Sequence, residues 1–230
     1  MVSILKWLLS LAVCAGLAAE PPLLICLPGG HPPLKIESVL NPAISPWKAM
    51  AFSRMRDLEA ALSTYPKSPV ITSAAYARYL QGYEVRLKGK KGGAKTKKYV
   101  LLAAKTGIDN ANLARLTVGV LDFLGREKLP PFVHEAFSLE FSQLKRVGKQ
   151  EDLLSLLGME SVDAIVIEEN DLADFEARTK LPLSVLLVSK SMDSFPVLVV
   201  PGQERYEQLQ SSLMQKEKEV GKVLKIEGWE

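Results

Sequence analysis

Short apolar runs recur along this chain with helix-patterned segments between them, and no other feature constrains the fold as strongly. The run at 23–27, Leu-Leu-Ile-Cys-Leu, is closed by Pro28-Gly29-Gly30. A continuous apolar run ended by turn residues reads as a buried strand entering a loop. Comparable strand patterns stand at 69–72, 83–88, 98–103, 116–121, 144–147, 162–167, 183–188 and 196–200. Helix patterns fall among them. One runs over 54–64 behind Ser53 as N-cap, and one opens at Ser73 and holds Tyr76, Tyr79 and Leu80. Others cover 130–141 behind two prolines, 149–157, a segment capped by Asn170 and ending at 178, and 203–216. The proline-rich stretch before 53 offers strand candidates at 34–39 and 48–52, and the charged tail after 216 is expected to fray. Strands alternating with helices predict an α/β protein, with mostly parallel sheet covered by helices on both faces.

The N-terminus is a separate signal. Lys6 stands in an apolar stretch that continues from Trp7 to Val13, and small residues follow at Ala15, Gly16, Ala18 and Ala19. A charged start, a short apolar core and a small-residue exit are the parts of a secretory signal peptide, here 1–19. The apolar core is far shorter than the roughly 20 residues of a stable membrane span. An uncleaved anchor is the alternative; a lipidated Cys14 is disfavoured by Val13 before it. Export places the mature chain outside the cytoplasm, in the periplasm.

Composition narrows the function classes. The net charge of +3 gives no reason to expect nucleic acid as a partner. The basic cluster Lys88, Lys90, Lys91, Lys95, Lys97 and Lys98, interleaved with glycines, reads as a solvated hairpin tip joining the strands at 83–88 and 98–103. Once Cys14 leaves with the signal, Cys26 is alone and no internal disulfide is possible. Cys26 reads as a buried small hydrophobe rather than a nucleophile. Two distant histidines, His31 and His134, give no metal-ligand spacing. There is no P-loop and no G-x-S-x-G elbow. The sequence makes no case for an enzyme or for a cofactor.

The segment Leu144-Lys145-Arg146-Val147-Gly148-Lys149-Gln150-Glu151-Asp152-Leu153-Leu154, followed by Val162-Asp163-Ala164-Ile165-Val166, resembles the second lobe of periplasmic solute-binding proteins of the phosphate/phosphonate transporter type. Thr117-Val118-Gly119-Val120-Leu121-Asp122 resembles the strand that opens that lobe, and Ser73-Ala74-Ala75-Tyr76 a strand-to-helix turn of the first. Ser194-Phe195-Pro196-Val197-Leu198-Val199-Val200 resembles the return crossing. The resemblance spans about 69–214 and is one of pattern and order. It implies a two-lobed type 2 periplasmic-binding fold; the proline-rich stretch between Cys26 and Phe52, where the family has a full helix, departs from it and predicts a shortened first lobe. Lobe 1 would take 20–104 and 190–230, and lobe 2 would take 105–189. Hinge strands would lie near 98–104 and 184–189, with a ligand cleft between the lobes. One departure stands out. The turn that supplies hydroxyls to the anion in phosphonate-binding members reads Asp122-Phe123-Leu124-Gly125-Arg126-Glu127 here, so two carboxylates would oppose a phosphate-like group unless Arg126 offsets them.

The candidate ligand-binding residues are Thr72, Ser73, Tyr76, Asp122, Arg126, Glu168 and Asn170. Each has a plainer reading. Tyr76 packs on the sheet as readily as it faces a cleft; were it a cleft residue, Tyr76→Ala would abolish a ligand response and spare the fold. Thr72, Ser73 and Asn170 suit ordinary helix capping. Asp122 and Arg126 suit a surface ion pair. The resemblance implies binding of a small solute, an oxyanion being one candidate, for transport or sensing with a membrane permease or sensor. The alternative is a binding-protein-like module that has lost its ligand and serves as an interaction partner.

Overall fold

The computed structural model describes residues 20–27, 29, 32–104, 108, 110–202 and 206–230. The expected signal peptide at 1–19, His31 and the expected helix start at 203 lie outside the described residues. The first half of the chain sets down β1 (Leu23–Cys26), α1 (Pro33–Ala43), β2 (Ala49–Phe52), α2 (Met55–Thr64), β3 (Val70–Ser73), α3 (Ala74–Ala77) and β4 (Tyr83–Lys90). A second unit follows: β5 (Tyr99–Ala103), β6 (Thr117–Leu121), α4 (Leu129–Phe137), β7 (Gln143–Val147), α5 (Glu151–Gly158), β8 (Ala164–Glu168), α6 (Leu172–Ala177) and β9 (Ser184–Val188). The chain then returns through β10 (Pro196–Pro201), α7 (Glu207–Gln215), α8 (Glu217–Leu224) and β11 (Gly228–Trp229).

Two sheets result, ordered β11-β4-β10-β3-β1-β2 and β7-β6-β8-β5-β9. In the first, β1 to β4 run one way against β10 and β11; in the second, β6 to β9 run one way against β5. The fold is thus the expected two-lobed α/β arrangement. The period of two along a strand buried on both faces explains the layers. Leu23 and Ile25 point into a core with α1, α7 and α8, while Leu24 and Cys26 point into one shared with the second lobe. A third cluster, with Leu153, Ile165 and Phe175, covers the far face of the second sheet. No helix among the described residues is long and apolar enough to cross a membrane.

Several local readings are corrected. The strand expected at 34–39 lies in helix α1, opened by Pro33 in its first turn. Ile36, Leu40 and then Ile44 are buried at a spacing of four while Leu34 stays exposed, which is the period of a helix face. Helix α2 has Arg54, not Ser53, at its N-cap, and Arg54 pairs with Asp57 at 2.7 Å. Helix α3 is capped by Ser73, whose Oγ accepts the Tyr76 N–H at 3.2 Å, but it ends at Ala77, before Tyr79 and Leu80. Helix α4 stops at Ser138, which takes a left-handed φ of 53°. Asn170 is not a cap: it lies within a 3-10 turn, Glu169–Asp171, and Asp171 precedes α6. The tail does not fray. Its last turns form α8 and β11, and Trp229 is buried because β11 pairs with β4.

The lysine-glycine segment makes a tight turn at 91–94, closed by an antiparallel bridge between Lys91 and Ala94, but it does not join a paired β4 and β5. Strands β4 and β5 belong to different sheets, so 91–98 crosses from one lobe to the other. Its tip is tied to the C-terminus: the Gly92 N–H donates to Glu227 at 2.7 Å and Lys95 pairs with Glu230 at 2.8 Å. The return crossing, 189–195, runs beside it, joined by a bridge between Lys97 and Met192.

Candidate functional site

A cavity of about 180 Å³ lies between the lobes. It opens at the carboxyl ends of β1, β3, β6 and β8, where open α/β sheets place their ligands. The two crossings wall one side. Lys97 reaches Glu168 Oε1 at 2.7 Å and stands 5.1 Å over the Phe195 ring. Its side chain is only 18 % exposed, so the pair is poorly screened by solvent. The Tyr99 hydroxyl donates to Ser194 Oγ at 2.9 Å, and its backbone N–H donates to Ser189 Oγ at 2.8 Å. Burial, with the Glu168 carboxylate nearby, pushes the Tyr99 phenol well above its ordinary range, so it stays a neutral donor.

The second lobe supplies an aromatic wall. Phe123 stacks on Tyr99 at 6.2 Å, and Phe132 meets both edge-on, at 5.5 Å from Tyr99 and 5.1 Å from Phe123. At the far side Gln150 Nε2 donates to Asp171 Oδ2 at 2.7 Å. Among the described residues no group of three His, Cys, Asp or Glu side chains could hold a metal ion.

Of the seven expected site residues, Ser73, Glu168 and Asn170 line this cavity. Tyr76 is 2 % exposed; its hydroxyl donates to Glu59 Oε1 at 3.1 Å, and Lys128 of the second lobe sits 5.0 Å over its ring. Thr72 is buried within β3, and its Oγ1 has no hydrogen-bond partner among the described residues. Asp122 pairs with Arg146 at 2.7 Å, not with Arg126, and accepts the Gly125 N–H at 2.9 Å. Arg126 is exposed and lines a separate groove with Pro130, His134 and Phe141. Lys97, Tyr99, Phe123, Gln150, Asp171 and Ser194 also line the cavity and were not among the expected site residues. A usable signal existed for some: Lys97 and Ser194 belong to the two segments that flank the expected hinge strands.

The lobes touch beyond the cavity. Lys128 pairs with Glu59 at 2.7 Å, Arg78 pairs with Glu135 at 3.0 Å, and a Cβ on Gly29 would stand 2.7 Å from Leu121. One apolar cluster runs from Leu24, Cys26 and Tyr76 to Val120, Phe132 and Val133. The two lobes are thus in direct contact on this side of the cavity.

No protein-family model matches the chain, and no curated protein matches it by sequence. Solved structures do match. A Xanthomonas citri protein, XAC2383, bound to ATP aligns with a TM-score of 0.69 at 11 % identity, over 91 % of this chain and 90 % of that one. PhnD1 from Prochlorococcus marinus in complex with methylphosphonate aligns at 0.63 with 14 % identity, over 91 % and 92 %. An ancestral arginine-binding protein bound to arginine aligns at 0.56 with 15 % identity, over 90 % and 98 %. At such identities the likeness speaks for architecture alone, and it agrees with the two sheets, the two crossings and the cavity between them: this chain has the two-lobed type 2 periplasmic-binding-protein fold.

Proposed function

We propose that this protein binds a small solute in the interlobe cleft, without chemistry, for transport or sensing. The observation that carries the reading is the cavity itself. It is closed on the polar side by the Lys97–Glu168 pair and the Tyr99–Ser194 hydroxyls, and on the apolar side by Phe123 and Phe132. Convergent polar groups in a mainly apolar concavity are the usual makings of a ligand site. Similar structures hold solutes of different kinds, methylphosphonate in one and arginine in another, which supports solute binding without choosing a ligand. Residues 1–19 would export the chain to the periplasm, where a membrane permease or sensor would receive the solute-bound form.

A ligand-free interaction module is the second reading, favoured by one observation: the turn after β6 places the Phe123 ring against Tyr99 instead of offering hydroxyls to the cleft. A thermal-shift screen separates the two. The purified chain is heated with phosphate, methylphosphonate, sulfate, amino acids and small organic acids. Solute binding raises the midpoint, by about 2.7 kcal/mol of stability at a hundredfold excess over Kd. A flat response to the whole panel rejects solute binding.

A further inference from the structure

We infer that the cleft takes a zwitterionic amino acid with an apolar side chain, and not a phosphate-like anion; this rests on the solute-binding reading above. An oxyanion wants clustered, unused donors. Backbone N–H groups at a helix start are the usual source. The helix starts around this cleft cannot supply them. Helix α4 begins Leu129-Pro130-Pro131, and proline has no N–H. Helix α5 carries Glu151 and Asp152 in its first turn, which would repel an anion. At α3 the backbone donors are already spent, the Ala74 N–H on the Phe195 carbonyl at 2.8 Å and the Tyr76 N–H on the Ser73 hydroxyl, which leaves a single hydroxyl proton there. The turn after β6 is closed on itself, with Asp122 holding both Gly125 and Arg146.

The groups that do face the cavity ask for both charges. Asp171 lines it with only the Gln150 amide as partner, and no lysine or arginine among the described residues lies within ion-pair distance. A half-buried carboxylate held by a neutral amide is left to meet an ammonium. Glu168 adds a second carboxylate, already shared with Lys97. Three lysines line the cavity, but Lys225 donates to the Gly29 carbonyl at 3.0 Å and Lys91 is exposed to solvent; for a carboxylate, Lys97 offers a poorly solvated ammonium, and the 5 % exposed Ser194 hydroxyl, which accepts from Tyr99, keeps its own proton to donate. Between these polar groups stand Phe123, Phe132 and Val133, an apolar wall with nothing to offer a compact anion. A cavity of about 180 Å³ is slightly larger than the roughly 150 Å³ that holds a benzene-sized molecule. A branched aliphatic body bearing an ammonium and a carboxylate suits that size.

Isothermal titration of the purified chain tests this with L-leucine, L-valine, isoamylamine, isovalerate, methylphosphonate and inorganic phosphate. The expected result is binding of leucine or valine at least tenfold tighter than the amine or the acid alone. Asp171→Asn, which keeps the side-chain shape, should weaken leucine or valine binding at least tenfold, with the circular dichroism spectrum and melting point preserved. If methylphosphonate or phosphate binds and the amino acids do not, the inference falls while solute binding stands. If nothing in the panel binds, the inference falls, and the broader thermal-shift screen decides whether solute binding falls with it. If leucine binds equally well to Asp171→Asn and to Phe132→Leu, the cavity described is not its site and the inference is overturned.

Discussion

Tyr76→Ala tests the core shared by the two lobes directly. The ring is 2 % exposed and belongs to the apolar cluster shared by both lobes. Truncating a buried aromatic to alanine costs about 3–5 kcal/mol, from lost transfer free energy and the cavity left behind. Lys128 loses the ring face it covers at 5.0 Å, a further ~0.5–1 kcal/mol at such a half-exposed site. For a chain of this length each kcal/mol moves the midpoint by about 2–4 °C, so the melting temperature should drop by roughly 7–24 °C. The urea midpoint should fall with the m-value unchanged. Tyr76→Phe keeps the ring and loses only the hydroxyl that donates to Glu59 at 3.1 Å, at a cost of about 1 kcal/mol. Calorimetry on the two variants reads both numbers. A Tyr76→Ala protein melting within about 2 °C of the parent would refute the placement of this ring in a shared core. The expectation that this substitution spares the fold is accordingly replaced.

Other consequences are open to measurement. Gly221 sits in α8 with its would-be Cβ 2.6 Å from the Ile226 backbone oxygen. Gly221→Ala should therefore destabilise by about 1–3 kcal/mol in a denaturant melt, although helix propensity alone predicts a gain of about 1 kcal/mol. Burial, aided by Asp57 and Glu59, pushes the Cys26 thiol up to about 12. Its neutral form is thus favoured by folding, so its contribution to stability is intact below pH 9 and declines as pH rises from there towards 12. Alkylation of Cys26, read by peptide mass spectrometry, should track global unfolding; rapid labelling of the native protein would contradict the burial. The Arg78 guanidinium, hydrogen-bonded across the lobes, holds the Glu135 carboxyl below its usual range. That interlobe contact is present above the ordinary carboxylate pKa and is lost as pH falls through the depressed one. An NMR titration of Glu135 should move upward, toward the ordinary range, in Arg78→Ala, with Lys190 at 3.6 Å still holding it partly down, while stability near neutral pH changes little because both side chains are well exposed.

The order of elements was legible because strand and helix periods are local. The apolar runs that became β1, β3, β6, β8 and β10 announce themselves in four to six residues, and their composition ensures burial on both faces. The proline-rich entry was misread because Leu34-Lys35-Ile36-Glu37 alternates apolar and charged residues, whereas the helix face is carried by Ile36, Leu40 and Ile44. What the tertiary structure alone decided is which lobe each strand joins. Strand β4 and strand β5 are neighbours in sequence with a turn-like segment between them, yet they enter different sheets. Local pattern specifies a strand but not its partner, since pairing depends on contacts far apart in the chain. The site follows the same rule. Lys97 and Glu168 are 71 residues apart, and Tyr99 and Ser194 are 95 apart. Each looks ordinary in its own segment, and only the two crossings bring them to one cavity. Tyr76 and Asp122 looked like cleft residues by position, but packing turned the first into the shared core and pairing turned the second toward Arg146.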